Sequence, residues 1–313
     1  MKAARLGGVV VPVITPLDDD ECVDERTFRR VIRRLLDSGV HCIFVGGSAG
    51  EGPLLTAREW ERMVSIAADE VDGAVPLLGG AIDTSTRRII EKIRLLSNLG
   101  FPYCVVTPTY YITLRAEEEY VRLFGECAAA ADGTEIIAYN IPACVGSVIP
   151  APALFTAGDR GWIKYVKESS GDYAYFTQLV DEGKAHGLLI LEGEERQIAQ
   201  GMLAGAVGIV PVCANFEPAT YIAAYEAGIA GDAAALILLQ DRILLLREKL
   251  LLASPLWIAG IKYAMACLGL GSGRPLSPLR QLTAAEKQNI ADFVLASQSA
   301  VPAAGPRHTI LVA

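Results

Sequence analysis

Histidine is scarce, with only His41, His186 and His308 among 313 residues. A catalytic metal site on an α/β scaffold needs imidazoles and carboxylates that converge at strand ends. His41 opens a strand on the wrong face, His186 precedes another strand and His308 lies in the tail. No metal and no other cofactor is therefore expected. The seven cysteines (Cys22, Cys42, Cys104, Cys127, Cys144, Cys213 and Cys267) are odd in number, widely spaced and free of any Cys-x-x-Cys pair. That spacing excludes a zinc knuckle or dithiol redox site and fits free thiols in a reducing cytoplasm. Basic runs are also missing. With 28 Lys and Arg against 36 Asp and Glu, the net charge is −8, which excludes a nucleic-acid footprint and an anionic membrane surface. The expected partner is a small molecule.

Long apolar runs are lacking too. The most aliphatic stretch, 233–252, is interrupted by Gln240, Asp241, Arg242, Arg247, Glu248 and Lys249, far short of the ~20 clean residues that a membrane span needs. At the N-terminus, Lys2 and Arg5 precede an apolar stretch, 6–17, that loosely mimics a signal peptide. Pro12 and Pro16 break it, three aspartates follow it, and no small-residue cleavage site is present. It reads as a first buried strand.

What the chain does have is a large apolar fraction, 52% hydrophobic against 20% charged residues, and a repeating pattern. An amphipathic stretch is followed by a glycine able to close a helix in the left-handed conformation, then by a short apolar run. The glycines are Gly39, Gly73, Gly100, Gly133, Gly161, Gly187 and Gly205. The runs they introduce are 40–45, 75–78, 103–106, 135–139, 162–166, 188–191 and 206–210, and with 8–14 they make eight strands. Helices are expected at 24–38, 56–70, 84–98, 117–131, 150–157, 172–183, 194–204 and 216–228, with Thr56, Thr84 and Asp172 as N-caps. Continuous apolar strands alternating with helices imply a parallel sheet covered by helices, and eight units in 228 residues imply a closed (β/α)8 TIM barrel. An open doubly wound sheet would carry a dinucleotide glycine loop after its first strand, where this chain has Thr15-Pro16-Leu17-Asp18. Residues 1–228 are thus the expected barrel. Residues 229–313 are a C-terminal helical appendage with helices at 230–252, 255–268 and 283–299, packed on the barrel or on a second subunit.

In such a barrel, function resides at the C-terminal ends of the strands. Strand two ends in Gly46-Gly47-Ser48-Ala49-Gly50-Glu51-Gly52, a turn whose successive backbone N–H groups can hold an anion. Strand four ends near Tyr110 and Tyr111, and strand five at Tyr139 before Pro142. Strand six ends in Val166-Lys167-Glu168. Lys164 belongs to the solvated lower part of that strand, whereas Lys167 points an amine into an apolar mouth. Burial there lowers the pKa and leaves a neutral nucleophile. An anion cradle, an amine and a phenol together describe a Schiff-base enzyme acting on a 2-keto acid.

Along its whole length the sequence resembles the dihydrodipicolinate synthase / N-acetylneuraminate lyase family. The matching motifs run from Pro12-x-x-Thr15-Pro16 through Gly47-Ser48-Ala49-Gly50-Glu51, Tyr139-Asn140-Ile141-Pro142 and Lys167-Glu168-Ser169-Ser170-Gly171-Asp172 to Ile261-Lys262. The resemblance implies that Lys167 forms an imine with the keto carbon of pyruvate or a 2-keto-3-deoxy acid. It also implies that Tyr139 and Ser48 relay protons, and that the N–H groups of Ser48 and Ala49 hold the carboxylate beside Gly47. Gly193 and Val210 line the pocket through their backbones. A homo-oligomer is implied, and either Tyr110 or Tyr111 corresponds to the family tyrosine that reaches a neighbouring subunit's site.

Two departures bear on the second substrate, an aldehyde or similar acceptor. Cys144 stands where the synthases carry an arginine, and a neutral thiol cannot replace a bidentate guanidinium. Ala49 stands where most relatives have Thr, which leaves only backbone donors. A lyase or aldolase is therefore expected before a 4-hydroxy-tetrahydrodipicolinate synthase or a non-catalytic keto-acid-binding barrel.

Overall fold

All seven helix-closing glycines adopt left-handed backbone, with φ between 67° and 114°, and each hands the chain from a helix towards a strand. The computed structural model describes residues 6–300; Lys2, Arg5 and His308 lie outside them. The strands are β1 (Gly8–Pro12), β2 (Cys42–Val45), β3 (Leu77–Gly80), β4 (Tyr103–Val106), β5 (Glu135–Asn140), β6 (Ile163–Glu168), β7 (Leu189–Glu192) and β8 (Gly208–Ile209). They pair in parallel in sequence order, and β8 closes on β1. The fold is a (β/α)8 barrel.

Strand alternation divides the apolar residues into two cores. Outward-facing side chains such as Val9, Ile43, Cys104, Ile136 and Val166 pack under the helices. Inward-facing ones such as Val10, Phe44, Tyr103, Ile137 and Tyr165 fill the barrel. Tyr103 and Tyr165 meet edge to face at 5.9 Å, a packed floor one pleat below Lys167. No membrane-length apolar helix occurs among the described residues.

Several boundaries differ from the sequence reading. The third strand was expected at 75–78 but extends through Gly79 and Gly80, residues that weaken strands in isolation. Contact explains them: a Cβ on Gly80 would lie 2.2 Å from the Gly46 carbonyl oxygen, and one on Gly79 2.4 Å from Leu96. The third helix is Thr86–Asn98, with Ser85 rather than Thr84 at the N-cap position and no side-chain cap there; the Thr84 hydroxyl donates to Asp83 instead. Thr56 and Asp172 do cap, accepting from the N–H groups of Glu59 and Tyr175. The segment expected as one helix at 194–204 is a 3₁₀ turn, Glu195–Gln197, followed by the helix Ile198–Ala204.

The helix expected at 230–252 is likewise divided, into Ala233–Leu246 and a π-helical turn, Arg247–Leu251. The helices Trp257–Cys267 and Ala284–Ala300 follow. This region is tied to the barrel mouth by polar contacts. The Gln240 amide donates to the Glu195 carbonyl and accepts from the Ala199 N–H, both at 2.8 Å. Arg242 pairs with Glu217.

Candidate active site

Strand β6 runs one residue pair further than the sequence indicates, so Lys167 lies within the sheet, opposite Tyr139 on β5 and Leu191 on β7. Its parity points it inward, and only 5% of the residue is exposed. The ammonium nitrogen lies 3.8 Å from the centre of the Tyr139 ring and 5.0 Å from that of Phe44. Burial drives its pKa down to about 7, against a small opposing influence of Cys144. An amine in this setting is free base in a substantial fraction near neutral pH, where an ordinary lysine is almost wholly protonated. Lys164, three residues earlier, is exposed.

Tyr139 is buried beside it. Desolvation raises the phenol's pKa, with Cys144 adding to the effect, while the hydroxyls of Ser169 and Ser48 oppose it. A neutral phenol flanked by hydroxyls can give or take a proton through them. Ser48 also accepts a long contact, 3.9 Å, from the Cys144 thiol.

The turn after β2 is held from below. Glu51 N–H bonds the Ser48 carbonyl, Gly52 N–H bonds the Gly47 carbonyl, and the Thr15 hydroxyl bonds the Gly50 carbonyl. The N–H groups of Ser48 and Ala49 find no acceptor among the described residues. They remain available to an anion. Gly47 sits on the Phe44 ring, where a Cβ would approach to 2.6 Å.

A cavity of about 180 Å³ joins these parts, with Ser48, Ala49, Tyr139, Cys144, Lys167, Gly193 and Val210 all in its wall. Gly193 leaves room for the lysine: a Cβ there would lie 3.2 Å from Lys167 Cε and 2.1 Å from Ser169 Oγ. Gly47 supports the wall from behind. Tyr110 lines an adjoining hollow shared with Ser48, Ile141 and Cys144. Tyr111 takes a positive φ of 76° and is 92% exposed, away from its own chain's cavity.

Other residues complete the wall: Ser169, which lies in the motif around Lys167, and Glu194, Glu195, Arg247 and Trp257, which no motif marks. Ser169 is legible by parity, two residues beyond Lys167 on the same strand face. Glu194 and Glu195 follow Gly193. Burial raises both carboxyls, but Arg196 more than offsets this at Glu194, which ends below the ordinary range. Glu195 stays raised, although it accepts the Cys213 N–H at 2.8 Å. Arg247 and Trp257 arrive from the C-terminal region, and no local signal foretells them. No group of three or more His, Cys, Asp or Glu is arranged to hold a metal among the described residues.

Known proteins share this arrangement of sequence and fold. Residues 5–297 match the dihydrodipicolinate synthetase family. An uncharacterized DapA-like lyase of Halobacterium salinarum is 34% identical, covering 93% of this chain and 95% of the relative. The 4-hydroxy-tetrahydrodipicolinate synthase of Methanopyrus kandleri is 30% identical over 88% of this chain and 91% of its own length. In fold, the chain is similar to YagE, a prophage protein of the dihydrodipicolinic acid synthase family from E. coli K12 in complex with pyruvate. That likeness has a TM-score of 0.88 at 24% identity and covers 94% of this chain and 99% of the other. This chain belongs to the dihydrodipicolinate synthetase family and is an enzyme of that lyase and synthase class.

Proposed function

We propose that the chain is a Schiff-base lyase or aldolase that acts on pyruvate or a 2-keto-3-deoxy acid through an imine on Lys167. One observation carries this reading: a buried lysine with a lowered pKa shares a small cavity with two unengaged backbone N–H groups. The N–H groups of Ser48 and Ala49 hold the carboxylate, which presents the keto carbon to the amine. Attack gives a carbinolamine. Tyr139 passes a proton to its oxygen, which leaves as water, and the protonated imine remains.

In the cleavage direction the C4 hydroxyl returns a proton to Tyr139 and becomes an aldehyde as the C3–C4 bond breaks. The electron pair moves towards C2 and forms an enamine. Protonation at C3 and hydrolysis then release pyruvate and the free lysine. Ser48 relays the proton between the phenol and the mouth. A homo-oligomer is part of the same proposal, supported by the exposed Ile237 and Leu238 on the helix Ala233–Leu246.

Incubation with pyruvate and borohydride, followed by peptide mass analysis, tests the imine. The reduced adduct is expected on the peptide containing Lys167. An unmodified Lys167 under conditions that label another member of the family overturns the reading. Turnover of a panel of 2-keto-3-deoxy acids then separates an enzyme from a barrel that only binds.

A further inference from the structure

Arg247 lies in the wall of the catalytic cavity, 24% exposed at its side chain, and makes no side-chain hydrogen bond among the described residues. Its salt-bridge neighbour is Glu194, at 3.8 Å from the guanidinium Nε, and its charge also reaches Glu195. That carboxylate is already occupied, because Arg196 donates to both of its oxygens at 2.9 and 3.3 Å. The other charges in the wall are weakened. Burial moves Lys167 towards the free amine and Glu195 towards the neutral acid. Arg247 is left as a cation whose planar set of donors is unbonded and whose nearest carboxylate is shared with Arg196.

The backbone that carries it is specialised. Arg247 opens the π-helical turn Arg247–Leu251, in which the Leu252 N–H reaches back five residues to the Arg247 carbonyl at 3.0 Å. Such turns insert a residue into a helix and re-aim the side chains beyond it, often at functional sites. This turn is anchored at Gly260, where a Cβ would lie 1.9 Å from the Leu250 carbonyl oxygen. Partly withdrawing a guanidinium from water without a hydrogen bond is unfavourable, and a ligand that accepts from it removes that cost. The group that fits is a carboxylate or phosphate, which accepts two parallel N–H bonds from arginine.

We propose that Arg247 is a specificity-determining residue that binds a second anionic group at the distal end of the substrate, so that the preferred substrates are 2-keto acids or acceptors with a terminal carboxylate or phosphate. This rests on the cavity being the keto-acid site. The first anion, next to the keto carbon, meets the N–H groups of Ser48 and Ala49. The second meets Arg247 from the side of Gly193 and Glu194. Lys167 lies in the wall that both ends of the substrate share.

Calorimetric titration of the full chain with three compounds tests this. The probes are 2-oxoglutarate, with a distal carboxylate; phosphonopyruvate, with a distal phosphonate; and 2-oxopentanoate, which keeps the first carboxylate but ends in a methyl group. At least one probe with a distal anion is expected to bind the wild type about tenfold or more tightly than 2-oxopentanoate, as a charge-assisted contact supplies. The tighter of the two identifies the anion. Arg247→Gln is expected to bring that probe and 2-oxopentanoate to within about twofold of each other, and Arg247→Lys to retain part of the difference. A wild type that does not prefer either anion overturns the proposal. So does an Arg247→Gln variant that weakens all three probes alike, the outcome of a merely structural role. Borohydride trapping of pyruvate on the wild type, run in parallel, separates the two readings. A missing adduct removes the imine but leaves the anion preference measured.

Discussion

Lys167 and Lys262 are both buried lysines, yet their surroundings give them opposite uses. Lys262 meets a carboxylate, whereas Lys167 faces aromatic rings and a thiol. Desolvation is therefore almost uncompensated at Lys167, and its pKa falls from 10.5 to about 7. The rate of adduct formation with pyruvate is expected to rise with pH through about 7 and to level off above it, as the free-base fraction saturates. An adduct rate still climbing steeply towards pH 10 would show an ordinary, solvated amine. Linkage gives the matching stability effect. A lysine whose folded pKa is lowered contributes no penalty above its unfolded pKa, an increasing one as pH falls, and the full penalty below the folded pKa. Lys167→Met should therefore exceed the wild type in stability by the largest margin below about pH 7, and the gap should narrow towards pH 10.5.

At the scale of elements, the strands and most helices follow from local chemistry, and so are legible. A left-handed glycine closes a helix whatever lies across the barrel, which is why all seven mark their boundaries in sequence. Lys167, Tyr139 and Ser48 follow from the same order, because barrel strand ends converge by topology. Contacts between distant segments are not legible in this way. Gly79 and Gly80 remain in a strand because Leu96 and Gly46 approach them. The short helix Pro142–Val145, which carries Cys144, follows a strand that ends in Asn140 and has no periodicity to reveal it. The π turn is the most consequential case. Residues 233–252 read as one aliphatic helix, and only the close approach of Leu250 to Gly260 distinguishes the turn that brings Arg247 to the mouth. Gly260→Ala must displace that carbonyl, and a loss of about 1–3 kcal/mol in urea denaturation is expected. The preference for anionic probes should fall with it. Wild-type stability and an unchanged preference would show that the turn is not anchored there.

At the scale of the whole molecule, the question is how the C-terminal region, distant in sequence, holds a turn after the second strand. The connection is the ion pair between Lys262 and Glu51, with side chains only 2% and 0% exposed. Glu51 uses its other oxygen to accept the Leu276 N–H at 2.7 Å, so one carboxylate joins two C-terminal segments to the Gly46–Gly52 turn. It does so from left-handed backbone, φ 54°, where a non-glycine residue persists only if its surroundings fix it. A buried pair of this kind is a poor source of net stability but a costly one to halve, because the remaining charge is left in a medium that does not solvate it. Lys262→Met is thus expected to destabilise the chain by about 3–5 kcal/mol. Adding Glu51→Gln should restore part of that loss, since no charge is then left buried. If Lys262→Met unfolds at the wild-type denaturant concentration, or if the double variant is no more stable than the single one, the pair does not bind the C-terminal region to the catalytic turn. If both results hold, the adduct yield on Lys167 should decline with the pair, because the Ser48 and Ala49 donors depend on a turn that Glu51 terminates.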